Sequence, residues 1–434
     1  MKILLIFPGL HHSLAKKKRR HKEFQLIGTT LPTLAALTPP DIEVEILNEY
    51  NHPVNYETDA DIIGITVMTS HASRAYEIAD EFKKRGKFVV LGGIHPTVLP
   101  EEASKHATTV VIGEAEGIWE ELLKDFQNGR VKKFYKAERF PLPHEIPIPK
   151  RGALDPKSRG KRLFSPKIEI MQVSRGCPYN CDFCCVTKFF GNTYRFRPVD
   201  SIIKEIKSLG KIDYLFFQDD NIVGNKAQAK EFFKKLIPLK LKWAGGTTLG
   251  TLQDDELLDL MNKSGCITMF VGIESLTIPF AKNRTYLEDR LEYYYKTIEK
   301  LHNFKIMAYA SFIFGFDTDD TKVFEKTVRF AQDACCEGAA FHILTPYPGT
   351  KLYEKLDKEG RIFVHDWQYY DGEHAVFHPK LMSSKELEEG FEWAIREFYS
   401  IKSIAKRIWG SRTRPFFAIP WNLFIYFDRK FNHQ

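Results

Sequence analysis

Short apolar runs alternate with amphipathic stretches along most of the chain. Ile3 to Phe7 is apolar and stops at Pro8-Gly9. Further runs lie at Glu43 to Leu47, Asp61 to Met68, Phe88 to Leu91 and Thr109 to Ile112. Apolar runs of this length, bounded by turn residues, read as strands buried on both faces of a parallel sheet. Between them, Ser73 to Arg85 places Ala75, Ile78, Ala79 and Phe82 on one helical face. A helix through Trp119, Leu122 and Leu123 closes the series. The pattern predicts an α/β fold with a doubly wound sheet over residues 1–135. Such sheets bind ligands at the carboxyl ends of their strands. Thr69, Ser70, Gly92, Gly93, His95 and Glu114 fall at that edge and are candidate contacts.

Residues 136–165 are rich in Pro, Lys and Arg, with Pro141, Pro143, Pro147 and Pro149 spaced as in an extended linker. A second series then begins. Strands are expected at Glu169 to Val173, Tyr214 to Gln218, Lys242 to Thr247, Met269 to Glu274, Met307 to Phe314 and Ala340 to Leu344. Helices such as Val199 to Leu209 and Ala227 to Leu236 separate them. Six such units over residues 166–365 predict a partial (β/α)6 barrel with its chemistry at the carboxyl ends of the strands. Residues 366–434 form a mainly helical extension, with one helix expected from Ser384 to Lys406 and Phe391, Ala394, Ile395 and Phe398 on its inner side.

Composition adds compartment and charge. The chain has 434 residues, 43% hydrophobic and 27% charged, as in ordinary globular proteins. Seven cysteines without a regular pairing pattern point to a reducing, cytoplasmic setting. No stretch approaches the ~20 apolar residues of a membrane span. The net charge of +7 is unevenly spread, since the segment from Ile401 onward carries +6. A second basic run spans Lys16 to Lys22. Neither comes with a nucleic-acid-binding motif. The tail mixes cations with aromatics, which makes peripheral membrane contact an expectation.

The candidate chemistry centres on Cys177, Cys181 and Cys184, spaced C-x3-C-x2-C on a loop directly after the first strand of the second series. Zinc wants four ligands, and the fourth here would be Cys185, the peptide neighbour of Cys184. A disulfide scaffold does not suit so long and cysteine-poor a chain. Three thiolates can instead hold three irons of a 4Fe–4S cluster and leave the fourth iron open. This spacing, with Phe183 before the last Cys, resembles the radical S-adenosylmethionine (SAM) superfamily. The resemblance implies that the open iron chelates SAM and that one electron, from a donor such as a flavodoxin or ferredoxin, cleaves it to a 5′-deoxyadenosyl radical. It also implies roles at later strand ends. Gln218, Asp219 and Asp220 stand where the family holds the SAM amino group. Glu274 and Ser275 stand where it holds the methionyl carboxylate or ribose. Ser311 to Asp317 resembles G-x-I-x-G-x-x-E, with Ser311 at the first Gly, Ile313 beside adenine and Thr318 at the final Glu. Phe183 adds a backbone contact to the base.

The first 135 residues resemble the Rossmann-like cobalamin-binding domain found ahead of many radical SAM cores. The matching phrases are Asp61 to Met68, Val89 to Thr97 and Val111 to Glu116. The D-x-H-x-x-G motif that supplies an axial His to cobalt is absent. His11 and His12 have no Asp at the required spacing, so cobalamin is expected without a protein His on cobalt. The family includes methyltransferases that act on unactivated carbon and ring-forming enzymes related to an anaerobic magnesium-protoporphyrin monomethyl ester cyclase. The expectation is a cobalamin-dependent radical SAM C-methyltransferase acting on a small-molecule or lipid-like substrate. A radical cyclase on a lipid or tetrapyrrole-like substrate and a non-catalytic Fe–S redox or sensor protein are the alternatives.

Overall fold

A computed structural model describes residues 1–11, 28–154, 166–277 and 287–432. Two six-stranded parallel sheets organise it. The first contains β1 (Lys2–Phe7), β2 (Glu43–Asn48), β3 (Ile62–Thr66), β4 (Phe88–Gly92), β5 (Thr109–Ile112) and β6 (Phe134–Lys136), in the order β2-β1-β3-β4-β5-β6. Each of the first five follows a predicted apolar run. Both faces are buried. Leu4, Ile6, Ile63 and Leu91 pack beneath the helix Ala72–Lys84, while Ile3, Leu5, Ile62 and Val90 pack on the side of Trp119 and Leu122. The chain passes from β1 outward to β2 and then back across to β3, so the strand order reverses between β1 and β3. That reversal opens a crevice at the carboxyl edge.

The second sheet contains β7 (Ile168–Met171), β10 (Tyr214–Phe217), β11 (Trp243–Thr248), β12 (Cys266–Glu274), β13 (Met307–Phe314) and β14 (Gly338–Ile343), in the order β14-β13-β12-β11-β10-β7. Two short strands, β8 (Ser174–Arg175) and β9 (Arg195–Phe196), pair antiparallel outside it. β7 and β14 are the two free edges, so the barrel is partial. Residues alternate along β12 and β13 between fully and partly buried. The fully buried set, such as Phe312 and Phe314, packs under the outer helices. The partly buried set faces the interior. There Phe216, Phe270 and Tyr309 make an aromatic floor, with ring centroids 5.5 and 4.5 Å apart. Above the floor, Thr248, Gly272, Ser311 and Ala340 are register partners across four strands and leave room.

Two features differ from the sequence reading. The segment after residue 136 is not a free linker. Lys150 N donates to Pro32 O at 2.8 Å, and Leu154 bridges to Ile46 on β2. The single helix expected from Ser384 to Lys406 is two, Ser384–Phe398 and Ile401–Ser411. Tyr399 closes the first, and Ser400 caps the second by accepting from Ser403 N. A third helix, Pro415–Asn432, follows. Arg407 ties these helices to the barrel. It is fully buried, donates to Cys336 O, Glu337 O, Phe398 O and Asn422 Oδ1, and lies 3.8 Å over the Phe398 ring. His12 and the run Lys16 to Lys22 lie outside the described residues.

Candidate active site

The cysteine loop is a hairpin closed by β8 and β9. Its entry is held by Asp219, buried just beyond the end of β10. Asp219 accepts from Val173 N at 3.1 Å, from Ser174 Oγ at 2.6 Å and from Ser174 N. Gly176 follows with φ of 83°, and a Cβ there would lie 2.1 Å from Thr193 O, so only glycine fits. At the other end, Leu352 N donates to Asp182 O, and Lys351 pairs with Asp182 at 3.2 Å. Cys177, Cys181, Cys184 and Cys185 are all free thiols and partly buried. Burial pushes the thiols up, Cys184 to about 12, so thiolates here need a cation beside them. Among the described residues no three His, Cys, Asp or Glu side chains converge on a single-ion site. The donor set suits a cluster, in which each thiolate takes a different iron.

Two carboxylates flank this loop. Asp220 faces the open interior beside Cys177, Cys184 and Cys185. Asp220 is exposed to that open interior, and desolvation by the surrounding walls raises its carboxyl to about 6 against the pull of the Gly176 N–H. Glu274 ends β12 in a left-handed conformation, φ 64°, where the β12–β13 register shifts. Burial pushes Glu274 to about 7. Ser275 N closes the turn onto Ile273 O at 2.8 Å. Two acceptors near ionisation, on either side of the cysteines, are suited to a ligand ammonium. Ser311 and Ile313 both face inward on β13, and Phe183 stacks edge-on to Phe316 at 5.9 Å.

A crevice of about 470 Å³ lies on the other side of the same loop. The first sheet contributes Met68, Gly92, Gly93 and Gly113 to it, and the second half contributes Gln172, Arg175, Phe189 and Gln218. Gly93 has φ of 107°, and a Cβ there would press on Val67 backbone at 2.9 Å. No histidine lines the crevice among the described residues. The glycine edge and apolar walls fit the tail and ring of a corrin.

Several candidates turn out to be placed differently. Thr69, Ser70 and His95 stand off the crevice. Thr69 is buried, and Ser70 Oγ meets His71 Nδ1 at 3.1 Å. His95 is fully buried between Tyr76, Glu102 and Trp367. Glu114 lines the crevice, but Arg175 and Arg195 take both its oxygens. Glu116 adds a 2.8 Å pair to Arg175. Asp219 serves the loop backbone, so Asp220 is the acid left for a ligand. Gln218 faces the crevice and donates to Thr29 Oγ1 at 2.8 Å. At the end of β13 the carboxylate is Asp319, not at Thr318. It accepts from Gly315 N and Phe316 N at 3.0 Å and from Thr277 Oγ1. Ser275 joins the same group through Thr277 at 3.0 Å. One interior residue had no signal in the sequence. His342 is the register partner of Ile313 and is exposed toward the open interior, where desolvation by the surrounding walls lowers its imidazole from the ordinary value.

A cysteine loop at the mouth of a partial barrel thus shares a wall with a doubly wound domain. Comparison with known proteins agrees. The radical SAM superfamily model matches residues 171–331, and the B12 binding domain model matches residues 41–123. The chain is 36% identical to bacteriochlorophyllide d C-12(1)-methyltransferase of Chlorobaculum tepidum, over 81% of this chain and 77% of that one. It is 32% identical to the C-8(2)-methyltransferase of the same organism, over 85% of each. In fold it resembles the radical SAM methyltransferase TsrM of Kitasatospora setae, with a TM-score of 0.66 and 18% identity over 82% of this chain and 76% of that one. The chain belongs to the radical SAM superfamily, in the group that carries a B12-binding domain ahead of the radical SAM core. It is an enzyme, and its cofactors are a 4Fe–4S cluster, SAM and cobalamin.

Proposed function

We propose that this enzyme is a C-methyltransferase that adds a methyl group to an unactivated peripheral carbon of a tetrapyrrole. The observation that carries the reading is the shared wall. Arg175, two residues before Cys177, lines the crevice while it fastens the cysteine loop to Glu114 and Glu116 of the first domain. The two compartments therefore sit back to back at one loop. When bound, the cofactors supply a hydrogen-abstracting radical and a transferable methyl group. The protein supplies positions. Cys177, Cys181 and Cys184 hold the cluster. Asp220 and Glu274 hold the SAM ammonium and hydroxyls, and Ile313 and Phe183 wall its base. The aromatic floor closes the interior below, keeping water from a reactive centre. His342, aimed inward, meets the substrate. The substrate class follows the bacteriochlorophyllide methyltransferases, which match across both halves of the chain. Electrons come from a flavodoxin or ferredoxin, and the cytoplasm provides the reducing setting.

The test is an anaerobic assay with methyl-labelled SAM and a chlorophyllide-type substrate. The expected products are methylated tetrapyrrole with both S-adenosylhomocysteine and 5′-deoxyadenosine. Replacing Cys177, Cys181 and Cys184 together by Ala abolishes all three. 5′-Deoxyadenosine without S-adenosylhomocysteine overturns methyl transfer and favours the cyclase reading. The anaerobic magnesium-protoporphyrin IX monomethyl ester cyclase of Cereibacter sphaeroides is 26% identical over 81% of this chain and 62% of that one.

A further inference from the structure

The last helix, Pro415–Asn432, turns its apolar side outward. Its inner side is fixed. Ala418 and Asn422 are buried, and Asn422 accepts from Arg407 Nη2 at 2.9 Å and donates to Glu337 O at 2.7 Å. The opposite side carries Phe416, 91% exposed, Ile419, 42%, and Trp421, 45%. Pro420 and Phe424 continue the same stripe at helical spacing. Between Pro415 and Phe427 the only polar side chains are Asn422, which faces inward, and Tyr426. Trp409, 78% exposed, sits at the end of the preceding helix, just before the turn that leads to Phe416. An aromatic patch of this kind marks an interaction surface.

The charges around it select the partner. Arg412 and Arg414 precede the stripe, Arg429 and Lys430 follow it, and Asp428 is the one acid after Ile401. A second copy would set the exposed cations at the ends of the stripe, Arg412 and Lys430, against their like. Arg414 is held by Lys305 O and Asn262 Oδ1 and Arg429 pairs with Glu392 at 3.2 Å, so it is the exposed Arg412 and Lys430, one at each end of the stripe, that an anionic surface would meet. No described helix is long and apolar enough to cross a membrane. Tryptophan and phenylalanine framed by cations, on a helix that cannot span, are what an interfacial helix presents.

We propose that Trp409 to Phe427 docks this protein on an anionic phospholipid bilayer, with the last helix lying in the interfacial plane. The docking is independent of which carbon is methylated. It places the enzyme where an apolar, anionic substrate would be dissolved.

Flotation of the full chain with vesicles tests this. Binding is expected to vesicles of phosphatidylcholine with phosphatidylglycerol and to be much weaker with phosphatidylcholine alone. It should fall as salt approaches 1 M, where the screening length is about 3 Å. The double variant Phe416→Glu/Trp421→Glu should lower the bound fraction by about tenfold or more, losing apolar area and adding charge repulsion together. Its circular dichroism and SAM cleavage in solution should match wild type. Wild-type protein that ignores both vesicle types overturns the proposal, whatever the variant does. So does a wild-type dimer in sedimentation that the same substitutions dissociate, which would make the stripe a self-association surface.

Discussion

Asp317 shows how one side chain is set by its neighbours. Burial alone would raise its carboxyl, but Lys355, Arg361 and Lys380 converge on it and hold it at about 2. These partners join the end of β13 to the segment leading into the C-terminal extension. A carboxylate held below its ordinary value of 3.8 adds stability above that pH. The contribution is lost as pH falls through the folded value near 2. Asp317→Asn should therefore lower the thermal midpoint at pH 5, with the gap to wild type closing between about pH 4 and pH 2. A gap that stays constant over that range would show that packing, not charge, is what the residue supplies. Arg407 is the opposite case, since burial lowers its guanidinium to about 10. It is stabilised by carbonyls and an aromatic face rather than by a carboxylate.

At the scale of elements, the β8–β9 hairpin is the most demanding piece. Gly176→Ala places a methyl group on the Thr193 carbonyl and a side chain at left-handed φ, a strain of roughly 1–2 kcal/mol before the clash is counted. After anaerobic reconstitution, iron and sulfide per chain should fall well below wild type while corrin is still retained. Full iron content would show that the hairpin can shift without losing the cluster. Most strands were legible because each is a continuous apolar run or an alternating one, as in Met269 to Glu274. Helix faces were legible from Ala75, Ile78 and Phe82. Phe134–Lys136 was missed because three residues at a sheet edge carry no period. The break at Ser400 was missed because apolar spacing carries on through it. At the site, the cysteines were legible because ligand spacing is local. Glu114, Asp219 and His95 looked like ligand contacts because they fall at strand ends. Their true partners, Arg175, the Ser174 backbone and Trp367, lie tens to hundreds of positions away, where sequence spacing says nothing.

For the whole molecule, the decisive feature is that the first domain is gripped twice. Near the start of the barrel, Glu114 and Glu116 hold Arg175 and Arg195. Beyond its last strand, Trp367 Nε1 donates to Glu102 at 2.8 Å, and Asp366 accepts from Ser73 at 3.0 Å. Each grip turns the other into an intramolecular contact at high effective concentration. Trp367→Phe alone removes one hydrogen bond and should lower stability by about 1 kcal/mol. Glu114→Ala strands buried cations and should cost about 3 kcal/mol or more. Combined, the two should lower the melting midpoint by more than the sum of the single effects, because each grip holds the domain in place while the other is loosened. Strict additivity would mean that the halves never separate before melting. The chain thus behaves as a loop buckled at both ends, and an open buckle at either end leaves the other one fastened. Loosening one grip would then leave the other keeping the register between the halves, so a local opening need not become a separation.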